Sequence, residues 1–156
     1  MIISSSAFEH GGMIPAGYTC DGENISPPLK LDDVPSTTVS FVLIVDGVDS
    51  SSGTITHWVV WNIDPDEGID ENTVPGVEGL NGFNRISYCG PCPAEGTHQY
   101  YFMVYALDTR LDFITGTGRN EIEDAMQSHI LDKGELMGEY RRKQIPQGYF
   151  DGFISQ

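Results

Sequence analysis

Two runs near the middle of the chain limit its fold more than any other feature. His57-Trp58-Val59-Val60-Trp61-Asn62-Ile63 and Gln99–Leu107 are β-branched and aromatic, and both faces of each are largely apolar. A strand of that kind must be covered on two sides, as in the inner layer of a sandwich. Thr38–Val45 is a third strand of similar composition, and Glu135–Arg141 is a further short one. Turn-forming segments rich in Gly, Pro, Asp and Ser separate them at Asp46–Gly53, Asp64–Asn72 and Gly76–Gly96. The first forty residues have a similar composition and little periodicity. One helix is expected near 120–131, where Ile122, Ala125, Met126 and His129-Ile130 form a 3.6-period stripe. Asn120 is placed to cap it, with Glu121, Glu123 and Asp124 in its first turn. The pattern predicts a mostly β protein, an antiparallel β-sandwich with one short helix late in the chain. A single domain is expected over residues 1–141, followed by a tail, 142–156, in which Tyr149, Phe150 and Phe153 interrupt a polar sequence.

Charge narrows the possible partners. The 156 residues carry 23 acids and 8 bases, a formal net of −15. Residues 1–84 hold 13 acids and only Lys30 as a base, so most of the negative field lies there. Nucleic-acid binding needs a basic patch to neutralise phosphates, and a polybasic membrane anchor needs the same; neither exists. The longest apolar run, Tyr100–Leu107, is far too short to span a bilayer. The opening Met1-Ile2-Ile3-Ser4-Ser5-Ser6 lacks the basic and apolar regions of a signal peptide, so a cytoplasmic location is expected.

Cysteines and acidic loops give weaker signals. Cys89-Gly90-Pro91-Cys92 has the spacing of a thioredoxin-type redox site, but such a site needs a helix after the first Cys to lower its pKa. Here Pro93-Ala94-Glu95-Gly96 leads into a strand. With Cys20, three cysteines favour a reducing compartment with most thiols free; a Cys20–Cys92 or Cys20–Cys89 disulfide and a Cys₃His zinc set are the alternatives. The acidic run Asp64–Glu71 fails the calcium-loop template, because Ile69 replaces the turn glycine and Pro75 the bidentate Glu. No metal or cofactor is called for. Nucleotide, dinucleotide and nucleophile-elbow motifs are absent.

The histidines say more. His57 opens one apolar strand and His98 precedes another, each beside a Gly-rich loop. Alternation puts His98, Tyr100 and Phe102 on one face. Were the two strands neighbours, His57, His98 and Tyr100 would line one pocket mouth, with Asp49 in the adjoining loop fixing an imidazole tautomer. Two imidazoles, a phenol and loop N–H groups suit a small anion.

In these residues the sequence resembles the phosphatidylethanolamine-binding protein family, also called Raf-kinase-inhibitor-like proteins, in its short bacterial and archaeal form. The resemblance is carried by Ile14–Leu29, Ser40–Asp49, Gly53-Thr54 with His57–Ile63, Gly90-Pro91-Cys92-Pro93, Gly96–Tyr100 and Val104–Asp108, in order from about Phe8 to Arg141. It implies a Greek-key β-sandwich with a small anion pocket that takes phosphate-bearing groups, and some members inhibit kinases or proteases. Carried over by motif, Asp49 is the second acid of D-P-D-A-P, His57 the H-W histidine, and His98 with Tyr100 the G-x-H-R histidine and the aromatic after it. Gly90 and Pro91 fall on the loop that supplies backbone donors. The sequence departs from the pattern at Gly47, Val48 and Ser51, at Gln99 in place of Arg, and at Cys89 in place of Gly. Asp46, if extended, points to the other face.

The expected function is therefore a non-catalytic module binding a small anionic or phosphate-bearing ligand, with a regulatory role. A kinase or protease inhibitor acting by protein contact is the second reading, and a thiol oxidoreductase using Cys89 and Cys92 a remote third.

Overall fold

A computed structural model describes residues 1–49 and 53–142. Ser51 and the tail aromatics Tyr149, Phe150 and Phe153 lie outside the described residues. Eight strands run in chain order: β1 Ile2–Ser4, β2 Leu29–Asp32, β3 Ser40–Asp49, β4 Gly53–Ile63, β5 Gly68–Ile69, β6 Val77–Glu78, β7 His98–Leu107 and β8 Ile130–Tyr140. The helix α1, Arg119–Met126, lies between β7 and β8. Pairing is antiparallel throughout, in a five-stranded sheet of order β6-β4-β3-β7-β8 and a three-stranded sheet of order β1-β2-β5. Within the larger sheet β3, β4 and β6 are followed by a return to β7 beside β3, the Greek-key order.

The doubly apolar strands are covered on both faces. On one face Leu43, Val45, Trp58, Val60, Phe102, Val104 and Leu136 pack against Ile3, Leu29, Leu31 and Ile69 of the small sheet. On the other, Val42, Ile44, Val59, Trp61 and Leu107 meet Ile122 and Met126 of α1, with Leu111 beside them. An ion pair fixes α1 to this face. The buried Asp46 carboxylate accepts from the Arg119 guanidinium, which also reaches Thr56 Oγ1 at 3.0 Å and Glu123 Oε1 at 2.8 Å. Asp46 thus points away from the face of Val45, as extended geometry requires.

Several boundaries differ from the sequence pattern. β3 continues to Asp49, so Asp46–Asp49, expected as the start of a turn, belong to the strand. The helix starts at Arg119 with Gly118 as its N-cap; Asn120 sits inside the first turn and caps nothing. It ends at Met126 because the chain from Ile130 is drawn into an eleven-residue ladder with β7, which also extends the strand expected over Glu135–Arg141. That stretch lies at a sheet edge and alternates exposed with half-buried residues, so its polar sequence hides the strand. The short strands β1, β2, β5 and β6 are likewise hidden in Gly- and Pro-rich surroundings. No helix among the described residues is long and apolar enough to cross a membrane.

Cys20 and Cys92 form a disulfide, 72 residues apart in sequence, and Cys89 is the free thiol. The expectation that most thiols are free is corrected: two of the three are joined. The bridge also removes two ligands of the Cys₃His zinc alternative, and no cluster among the described residues could hold a metal ion. Cross-linking a loop of this length restricts the unfolded chain and contributes about 2–5 kcal/mol. Cys20→Ser is expected to lower the unfolding free energy by about that amount, read from urea denaturation; an unchanged midpoint would show that the other contacts between these loops suffice.

Candidate functional site

The strands carrying His57 and His98 are not neighbours: β3 runs between β4 and β7. The His57 and Tyr100 rings nevertheless meet edge to face, their centroids 5.3 Å apart. Two local features bring this about. The first is a β-bulge. Val45 pairs with Trp58 and Asp46 with Thr56, so His57 is an extra residue in β4. A bulge locally breaks the alternation of faces, and here it turns the His57 ring to the side of Trp58 and Tyr100. The second is Gly47, paired with Tyr100 in β7. A Cβ at this position would lie 2.6 Å from His57 Nε2 and 3.0 Å from Tyr100 Cε1. The two rings close over the bare backbone of the intervening strand.

His57 is buried, at 4% exposure. Its Nδ1 is 2.6 Å from the Cys89 carbonyl oxygen, which can only accept, so Nδ1 carries the proton. Burial holds the imidazole pKa below its usual value, opposed by the Cys89 carbonyl and by the Asp46 carboxylate. In the neutral ring Nε2 is the unprotonated nitrogen, and it lies against the bare backbone of Gly47. Phe83 packs edge-on against the ring's other side, with centroids 5.0 Å apart. Tyr100 is 2% exposed; burial pushes its phenol up to about 12, partly offset by a backbone hydrogen bond from Cys92.

His98 and Asp49 form the outer rim. They are the first residue of β7 and the last of β3, and His98 Nε2 stands 3.8 Å from Asp49 Oδ2. Their side chains are 20% and 25% exposed, so the site has a closed floor and an open rim. Asp49, expected to orient an imidazole, sits beside His98, and the Cys89 carbonyl orients His57. Gln99 lies between His98 and Tyr100 on β7 and by alternation faces the opposite side, so the missing Arg is not a missing wall of this site.

The loop with Gly90 and Pro91 adjoins the site, although its donors are directed elsewhere. The Gly90 N–H donates to Asn24 Oδ1 at 2.8 Å, Pro91 has no N–H, and the Pro91 carbonyl accepts from Cys20 N–H at 3.1 Å. Gly90 allows this contact, since a Cβ there would lie 2.3 Å from the Tyr18 carbonyl oxygen. The Tyr88 hydroxyl donates to the same Tyr18 oxygen at 2.7 Å. Cys92 is bonded to Cys20 rather than to Cys89, and a strand follows, which leaves the C-G-P-C motif without either feature of a thioredoxin site.

Sequence reasoning missed Asn81 and Phe83. The buried Asn81 amide donates to Ser87 O at 2.9 Å and to Cys89 Sγ at 3.3 Å, and its Oδ1 accepts from Phe83 N and Arg85 N. It shapes the loop that delivers both the Phe83 ring and the Cys89 carbonyl to His57. Asn81-Gly82 was legible as a turn signal, but nothing in the sequence says which loop the turn braces.

Comparison with known proteins agrees with this architecture. Residues 4–141 match the family described as phosphatidylethanolamine-binding protein. A UPF0098 protein of Methanothermobacter thermautotrophicus is 46% identical over 151 residues, covering 91% of this chain and 99% of its own. One of Pyrococcus horikoshii is 45% identical over 150 residues, covering 89% and 76%. The crystal structure of a putative phosphatidylethanolamine-binding protein homologue from Chlamydia trachomatis superposes with a TM-score of 0.87 at 40% identity, covering 91% of this chain and 97% of that one. YbcL of E. coli, described as a member of the mammalian family, shares the fold at 24% identity and a TM-score of 0.81, covering 90% and 98%.

Gly47 is the position to test. Gly47→Ala is expected to cost about 1–3 kcal/mol by overpacking and to displace the His57 ring. Calorimetry reads the first effect and the NMR signal of the His57 Nδ1 proton the second; an unmoved signal would show that Gly47 does not set the ring's position.

Proposed function

The chain belongs to the phosphatidylethanolamine-binding protein family, and we propose that it is a non-catalytic module that binds a small phosphate-bearing anion between Asp49, His57, His98 and Tyr100. The observation that carries this reading is the meeting of His57 and Tyr100 over Gly47, beneath a rim that holds a second imidazole. Two imidazoles and a phenol supply the polar groups that a small anion needs. Absence of catalysis is part of the proposal. Among the described residues neither histidine is hydrogen-bonded to a hydroxyl or thiol that it could activate, and the free thiol of Cys89 is engaged by Asn81.

The acidic surface bears on the ligand's form. A net charge of −15 repels anionic bilayers and nucleic acids at long range, so the proposed ligand is a small molecule or a single accessible headgroup. A regulatory role and a cytoplasmic location belong to the same proposal. The Cys20–Cys92 bridge weighs against the cytoplasm, where thiols are generally kept reduced.

Acid pH supplies the test. Histidine gains positive charge on acidification, which at this site would favour an anion, although burial opposes that charge at His57. Inorganic phosphate is expected to bind several-fold more tightly at pH 5.5 than at pH 8.0 in isothermal titration calorimetry. His98→Ala is expected to weaken binding at pH 5.5. Equal affinity at both values, or no loss in the variant, would sink the reading.

A further inference from the structure

We propose that Arg119 of α1 is a positioning residue for the site: by holding Asp46 and Thr56 together across β3 and β4 it selects the bulged register that turns His57 toward Tyr100. The proposal goes beyond the anion reading, because it concerns how the two rings are brought together and not which ligand meets them.

Beyond Val45 the two strands have two ways to pair. In the structure Val45 is opposite Trp58 and Asp46 opposite Thr56, and the shifted pairing runs on through Gly47 with Ile55 and Val48 with Thr54 to Asp49 with Gly53. A ladder without the bulge would set Asp46 opposite His57 and Gly47 opposite Thr56. Slipping a strand by one residue exchanges the faces of its side chains. His57 would then face α1, and Thr56 would face the small sheet. Backbone bonds on the outer edge of β4 hold the observed register: Gly82 N–H donates to Thr56 O at 2.8 Å and Cys89 N–H to His57 O at 3.2 Å. Backbone carbonyls are alike at every residue, so such bonds keep a register without naming it.

Side chains name it. Asp46 and Thr56 are directly opposed, so both side chains stand on the face toward α1. A single nitrogen of the guanidinium, Nη1, donates to the Asp46 carboxylate and to Thr56 Oγ1 at 3.0 Å, while Nε donates to Glu123 Oε1 at 2.8 Å, one turn along the helix. In the slipped register the guanidinium would meet an imidazole in place of the Thr56 hydroxyl. Asp46 immediately precedes Gly47 and Thr56 immediately precedes His57, so the clamp acts one residue away from each position on which the ring contact depends. The face it occupies is otherwise apolar, with Val42, Ile44, Val59 and Trp61 packed on Ile122 and Met126. An ion pair in such surroundings adds little stability over an apolar pair of similar volume; its best-attested use is to fix a register.

NMR of the full chain supplies the test. The His57 and Tyr100 rings, with centroids 5.3 Å apart, are close enough for a nuclear Overhauser effect, a contact that loss of a nearby charge does not by itself abolish. Asp46→Leu combined with Arg119→Met removes both charges together, so neither is left buried and unpaired. In this double variant the ring contact is expected to disappear or to share its intensity with a second set of His57 signals. Inorganic phosphate is expected to bind about tenfold more weakly, the scale of one hydrogen bond to a charged group. Glu123→Gln leaves the guanidinium on Asp46 and Thr56 and is expected to keep a single set of signals. Should the double variant not fold, Thr56→Val decides, since it removes only the arm that depends on register. It is expected to raise the hydrogen-exchange rate of the Cys89 amide several-fold and to leave the β7–β8 ladder unchanged.

An intact ring contact in the folded double variant, or unchanged Cys89 exchange in Thr56→Val, would overturn the positioning role. Loss of the contact with phosphate affinity unchanged would uphold that role and remove His57 from the anion site. If the wild type binds no phosphate at millimolar concentration, the anion reading falls and the ring contact still decides the role of Arg119.

Discussion

One surplus residue in β4 governs the arrangement of the site. In an uninterrupted ladder His57 would face α1, among Val59 and Trp61, and Tyr100 would face the small sheet. The bulge opposite Val45 and Asp46 places His57 on the same side as Trp58, and the extra residue costs β4 a regular pair. Turning the ring is not sufficient, because β3 still separates β4 from β7. The rings meet only because position 47 has no side chain. In the family pattern the motif's first Asp stands there, and in this chain the space such a side chain would occupy belongs to the two rings. What looked in the sequence like a lost charge is, in the fold, the vacancy that lets His57 reach Tyr100.

The same loops hold the site and stabilise the chain. The segment 88–92 is tied to the segment 18–24 by the disulfide, by Gly90 N–H to Asn24 Oδ1, by Cys20 N–H to the Pro91 carbonyl and by the Tyr88 hydroxyl to Tyr18 O. From this clamped loop the Cys89 carbonyl fixes the His57 tautomer and Cys92 supports the Tyr100 hydroxyl. Backbone groups that resembled anion donors on paper are consumed in holding the loop. Their effect on the site is indirect: they fix which nitrogen of His57 carries the proton.

Much of the fold was legible because its central strands are apolar on both faces, a pattern that only a covered sheet satisfies. β3, β4 and β7 were visible for that reason, and so was the stripe of α1 that covers one face. The remaining strands were not. β1, β2, β5 and β6 are two to four residues long, and half of β8 alternates charged residues with glycine and leucine, so neither length nor periodicity marks them. At the site, His57, His98, Tyr100 and Asp49 could be named from their strands and their family motifs. Their relation could not be named, because it depends on a one-residue bulge and on the order of strands in the sheet. Asn81 shows the limit well: a buried amide that braces a loop through its own hydrogen bonds has the same sequence signature as any Asn-Gly turn.

The charge of the molecule bears on the proposed anion site. A field of −15 disfavours every anion at a distance, and the rim adds the carboxylate of Asp49 close by. On the anion-site reading the protein would oppose at long range the ligand it holds at short range. A phosphate that keeps a proton carries one charge fewer than its fully ionised form. The fewer charges such a ligand carries, the less the acidic surface opposes its approach, so long-range repulsion favours its protonated form.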